Sequence, residues 1–112
     1  MSNTKAFNRV VELAPTTTGA FTSDSFAVSG NSFSIQLVHG AGGGASTAKL
    51  QVSHDRVNWD DEPSSETTLP ATADSFTWRV DGRSFPSPFV RLVVTGDNAD
   101  QTAKIFVRDP RR

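Results

Sequence analysis

The sequence predicts an all-β fold: a single antiparallel β-sandwich or jelly roll of about seven or eight strands, spanning residues 1–112. Three observations carry this. Apolar residues recur with a period of two rather than 3.6, turn-forming clusters separate the alternating runs, and no segment has the amphipathic pattern of a helix. A chain of 112 residues is about what one domain needs, and no internal repeat or long linker divides it.

Along the chain, AFNRVVEL (6–13) and SDSFAVS (23–29) are the weaker strand candidates, and APTTTG lies between them. SFSIQLV (32–38) alternates cleanly, with Phe33, Ile35 and Leu37 on one side and Ser34 and Gln36 on the other. The same alternation marks TAKLQVS (Ala48, Leu50, Val52) and SFTWRVD (Phe76, Trp78, Val80). It continues in FVRLVVT (Val90, Leu92, Val94) and AKIFVRD (Ala103, Ile105, Val107). The separators SGN, HGAGGGAS, DEPSSETTLPATAD, DGRSFPSP and TGDNAD are rich in Gly, Pro, Asn, Asp and Ser, which supply turns and interrupt ladders. Apolar residues make up only 36%, but eight Phe and two Trp raise the burial available per residue. Trp59, Trp78 and Leu92 are expected in the core.

Charge and composition narrow the function. With 11 basic and 12 acidic residues, the chain has no global field to draw nucleic acid or an acidic membrane. It has no cysteine, which excludes disulfides, thiolate metal sites and a cysteine nucleophile. No apolar run approaches a membrane span, and MSNTKAFNRV lacks the apolar region of a signal peptide, so synthesis in a cytoplasm is expected.

The stretch SHDRVNWDD (53–61) concentrates the residues that chemistry would use. A calcium loop needs regularly spaced oxygen ligands with a central Gly and a distal Glu, and Asp55, Asn58, Asp60 and Asp61 do not match. A looser cation site near Asp55 stays open. His39 and His54 lack the further regular ligands of a zinc site. The stretch reads instead as a hairpin corner: a strand end, a turn capped by Asp55 and Asn58, and a short return strand with Trp59 pointing inward. The glycine run HGAGGGAST has no Lys-Ser or Lys-Thr for a phosphate loop, and no GxSxG elbow accompanies it. No nucleophile, base and orienter converge, so no enzyme, cofactor or metal is expected.

Asp55, Asp60, Asp61, Glu62 and Glu66 crowd one segment, whereas Lys104, Arg108, Arg111 and Arg112 crowd the C-terminal end. Such patches are either solvated surface or complementary contacts between subunits. The candidate contact residues are Gly42, Gly43 and Gly44 in the glycine loop, Asp60, Asp61 and Glu62 in the acidic segment, and Arg108, Arg111 and Arg112 at the basic end. Three arginines without interleaved aromatics argue against a nucleic-acid partner.

LQVSHDRVNWDD, followed some thirty residues on by PFVRLVV, resembles the S-x-D-x-x-x-W … YVRL pattern. That pattern occurs in small β-sandwich structural proteins of tailed-phage particles and in discoidin-like, galactose-binding jelly rolls. Ser53, Asp55, Trp59, Arg91 and Leu92 match; Arg56 stands where a Gly usually follows the Asp, and Phe89 where a Tyr is usual. The resemblance covers roughly residues 33–95, and the first third of a discoidin domain has no counterpart, which favours the phage group. It implies a virion structural protein, such as a capsid decoration, cement, minor shell or tail component. Its partners would be other capsid or virion proteins and further copies of itself, with no membrane partner. The alternative is a carbohydrate-binding or cell-surface-adhesion module, using Phe21 and Phe85 as stacking aromatics with Asp60, Asp61 and Arg83 as polar partners.

Overall fold

The computed structural model describes residues 7–28, 32–42, 46–80 and 88–109, with side chains between 18 and 107 within those ranges. Six long strands carry the fold: β1 (Phe7–Thr17), β4 (Ser32–His39), β5 (Thr47–Ser53), β8 (Asp74–Val80), β9 (Phe89–Thr95) and β10 (Gln101–Asp109). Four two-residue strands complete the described set: β2 (Phe21–Thr22), β3 (Phe26–Ala27), β6 (Asp60–Asp61) and β7 (Thr67–Thr68). They form two antiparallel sheets. One runs β1-β10-β4-β8; the other runs β2-β9-β5-β6, with β3 also on β9 and β7 also on β5. The chain changes sheet between β1 and β2, β3 and β4, β4 and β5, β7 and β8, β8 and β9, and β9 and β10, so the long strands pair with partners distant in sequence.

Alternation explains which faces meet. Phe33, Ile35 and Leu37 of β4, Ala103, Ile105 and Val107 of β10, Ala48 and Leu50 of β5, and Val90, Leu92 and Val94 of β9 form one buried cluster between the sheets. Trp78 of β8 joins it at 7% exposure, with its indole Nε1 donating to the Ser65 carbonyl at 2.7 Å. That bond satisfies the one polar atom the indole would otherwise bury.

Two segments read as punctuation do structural work. APTTTG was expected to separate strands, yet β1 continues through Pro15 to Thr17, with irregularities in register between Glu12 and Ala14 and between Ala14 and Thr17. Proline is tolerated there because β1 is an edge strand and an irregular one, so its missing N–H breaks no interior ladder. The DEPSSETTLPATAD stretch contributes β7 and buries Ser65 and Leu69 under the sandwich. Ser65 Oγ accepts the Leu50 amide at 3.0 Å and donates to the Glu62 carbonyl at 2.7 Å, which pins the segment across β5.

At one end of the sandwich a buried polar cluster holds four loops. The Asn98 side-chain amide donates to the carbonyls of Gly40 and Pro70, both at 3.1 Å, and lies 3.0 Å from His39 Nδ1. Gln101 Nε2 donates to the carbonyls of Gly19 at 2.6 Å and Asn98 at 2.9 Å. The backbone reinforces this through Gly40 N–H to Ala99 and Ala99 N–H to Ala41.

Candidate functional site

The hairpin corner is built from Ser53 outward. Ser53 Oγ accepts the amides of Asp55 at 3.1 Å and Arg56 at 2.8 Å and donates to Asp55 Oδ1 at 3.0 Å. Asp55 Oδ1 accepts the amides of Val57 at 2.8 Å and Asn58 at 2.9 Å, and Oδ2 accepts the Asn58 side-chain amide at 2.9 Å. The Asn58 amide, then the Val57 amide, the Asn58 side chain and Ser53 hold the Asp55 carboxyl well below the usual carboxylate range. Its oxygens are therefore occupied in shaping the turn. Arg56 has a left-handed backbone, φ 64°, which is the conformation that makes Gly the usual occupant, and its guanidinium lies 4.4 Å from the centre of the Phe89 ring.

Trp59 does not enter the inter-sheet core, contrary to the expectation from the sequence. It is half-buried on the outer face of the β9-β5 sheet, where the Arg91 guanidinium stands 4.2 Å from its ring centre. The cause is the pleat: Val90, Leu92 and Val94 point inward, so Arg91 points out, and the returning hairpin lays Trp59 on that side. Burial pulls the Arg91 guanidinium below its ordinary pKa. The face then saturates itself. Arg91 Nε and Nη2 donate to Gln51 Oε1 at 2.9 and 2.7 Å, Gln51 Nε2 donates to Asp61 Oδ1 at 3.0 Å, and Lys49 pairs with Asp61 Oδ2 at 2.9 Å. The Gln51 hydrogen bond first, then that of Lys49, lowers the Asp61 pKa.

The other candidate residues fall in different places. Trp78 and Leu92 lie in the core cluster. Gly42 packs against its own chain: its amide donates to the Ala71 carbonyl at 2.8 Å, and an added Cβ would stand 2.6 Å from Asn98 Cγ. Its small size thus has an intrachain reason. Asp60 is exposed and Glu62 half-buried, with no ion-pair partner among the described residues, whereas Asp61 is taken up by Lys49 and Gln51. Arg108 lies in β10, in register with Ser32 and Asn8, and its side chain is outside the described set. Gly43, Gly44, Arg111, Arg112, Arg83 and Phe85 lie outside the described residues. Phe21 is half-buried and packs against the core. His39 sits at the end of β4 in one sheet and His54 follows β5 in the other, so the two are not on neighbouring strands.

The outer face of the β10-β4-β8 sheet carries a feature that motif reading did not find. Ser34, Gln36, Thr77, Lys104 and Phe106 line a shallow, open groove of about 270 Å3. Period two predicts that these positions face outward, but only cross-strand register places Phe106 beside Ser34, and Ser34 beside Arg79.

Neither a family profile nor a curated protein matches the sequence. Solved structures match the fold. The SPBc2 prophage-derived protein YomS is similar over 97% of this chain and 99% of its own, with a TM-score of 0.65 at 15% identity. A structure of Bacillus endospore appendages, described as disulfide-linked pili, is similar over 94% of this chain and 88% of its own, with a TM-score of 0.56 at 10% identity. Infectious bursal disease virus, Gt strain, is similar over 93% of this chain and 33% of its own, with a TM-score of 0.50 at 12% identity. At these identities the likeness is one of fold. The disulfide link of the pili has no equivalent here, since the chain has no cysteine.

Proposed function

We propose that the chain, as one domain over residues 1–112, is a non-enzymatic structural protein of a tailed-phage particle, a capsid decoration, cement or minor shell component. The observation that carries this reading is the end-to-end likeness to a prophage-derived protein of matching size. The chemistry of the corner supports it. Ser53, Asp55 and Asp61, the side chains a catalytic or cation-binding reading would draw on, are committed to hydrogen bonds that shape the turn and saturate one face.

The role is passive. A rigid sandwich presents its faces and charged segments to neighbouring subunits, and repeated copies multiply modest contacts into a stable lattice. Asp60 and Glu62 on one side, and Arg108, Arg111 and Arg112 at the basic end, are the charged groups this reading assigns to such contacts. Gly43 and Gly44 would allow close approach of a neighbour.

Particles purified on a density gradient from cells producing the phage test this. The chain should co-purify in many copies per particle by quantitative mass spectrometry and be labelled on intact particles by antibody. Recovery only in the soluble fraction would overturn the proposal.

A further inference from the structure

The two outer faces of the sandwich are chemically unlike. On the β9-β5 side the polar groups bond to one another, from Arg91 through Gln51 to Asp61 and Lys49. On the β10-β4-β8 side Phe106 remains 38% exposed and Val38 46% exposed. Lys104 and Arg79 have no ion-pair partner among the described side chains. Glu12 stands opposite Lys104 in register, and among the described side chains of that outer face the charged ones, Lys104 and Arg79, are both basic. The Phe106 ring lies open in the groove among Ser34, Gln36, Thr77 and Lys104, and covering its apolar surface is favourable.

The complement of that groove lies on the opposite side of the same molecule. Val57, at the tip of the Asp55 turn, is 76% exposed. The hydrogen bonds from the Val57 and Asn58 amides to Asp55 fix the turn before any contact forms, so little conformational freedom is lost on docking. Asp60, Glu62 and Glu66 follow closely, with no ion-pair partner among the described residues. The segment is therefore a rigid apolar tip backed by carboxylates. The groove exposes the Phe106 ring beside Lys104, and Arg79 stands next to its Ser34 edge in register.

We propose that the corner of one copy docks in the Phe106 groove of the next, with Val57 on the groove floor and Asp60 and Glu62 facing Lys104 and Arg79. The corner belongs to one sheet and the groove to the outer face of the other, so a copy cannot fill its own groove. The contact joins two different surfaces and propagates head to tail, giving rings or chains rather than a twofold dimer. It rests on the self-association contained in the proposed function.

Sedimentation velocity up to about 1 mM protein detects even a weak contact of this kind. Wild type should grow past a dimer with concentration and shrink with added salt, as a charge-assisted contact requires. Val57→Arg blocks the corner and Phe106→Lys blocks the groove; Thr77→Lys blocks the groove without removing the aromatic ring, should Phe106→Lys fold poorly. Each variant alone should associate at least tenfold more weakly. A one-to-one mixture of a corner variant with a groove variant should stop at a dimer, because only one intact corner and one intact groove remain. A wild type that stays monomeric, or blocked variants that associate as wild type does, would overturn the contact. So would a monomer whose binding of a single-stranded oligonucleotide is lost in Lys104→Glu, since that result assigns the face to nucleic acid. A monomer nonetheless found in purified particles removes this contact and leaves the structural role standing. Head-to-tail bodies from a chain absent from particles do the reverse.

Discussion

Truncating the two tryptophans to alanine separates the inner face of the sandwich from the outer one. Trp78 is 7% exposed, packs edge-on against Phe76 at 4.8 Å, and donates to the Ser65 carbonyl. Trp78→Ala leaves a cavity between the sheets and a buried carbonyl without its donor, so a loss of about 3–5 kcal/mol is expected. Trp59 is half-buried and its principal described partner is the Arg91 guanidinium. Trp59→Ala loses roughly 0.5–1 kcal/mol of cation–π attraction and about 1 kcal/mol of partial burial, or about 1–2 kcal/mol together. For a domain of this size those losses correspond to melting decreases of roughly 15–30 °C and 5–12 °C. Thermal and urea unfolding followed by far-ultraviolet circular dichroism measures both. Fluorescence gives an independent check, since the Trp59→Ala protein retains the buried indole and should emit further to the blue than Trp78→Ala. A Trp59→Ala loss equal to that of Trp78→Ala would refute the placement of Trp59 on the outer face.

Gly96 has φ 114°, and a Cβ there would overlap Ser46, which is itself buried. Gly96→Ala should therefore cost roughly 2–5 kcal/mol through overlap and backbone strain, read as a fall in the urea midpoint. Asp55 has a lowered folded-state pKa, so its contribution is complete above the unfolded value of about 3.9 and is lost as pH falls through the folded one. The Val57 and Asn58 amide resonances should accordingly keep their neutral-pH positions down to about pH 3, and a midpoint near 3.9 would show that the carboxylate is not held. Arg56→Gly removes left-handed strain worth about 1 kcal/mol and a guanidinium–ring contact worth about 0.5–1 kcal/mol. Its midpoint should stay within about 1 kcal/mol of wild type, and a larger shift in either direction contradicts that balance.

Much of the fold was legible because a strand with one buried face must alternate. Phe33, Ile35 and Leu37, and Ala103, Ile105 and Val107, reveal their facing from neighbours two residues away. The corner at Ser53–Asp55 was legible for a similar reason: a short side chain that caps amides within three residues is a local device. Trp59 was misplaced because it lies between regular strands, where alternation no longer says which way a side chain points. The strand character of Pro15 depended on β1 being an edge, a property of the assembled sheet. The joining of His39, Asn98 and Gln101, and of Ser65 with Trp78, left no local pattern, since each contact spans residues far apart in the chain. The groove around Phe106 belongs to the same class. Alternation determined that Ser34, Lys104 and Phe106 point outward, but only the packing of β10 against β4 and β4 against β8 made them neighbours. Local sequence sets each strand's period and sidedness through the backbone pleat. Long-range pairing decides which outward residues share a surface, because register is selected by the burial of the opposite face.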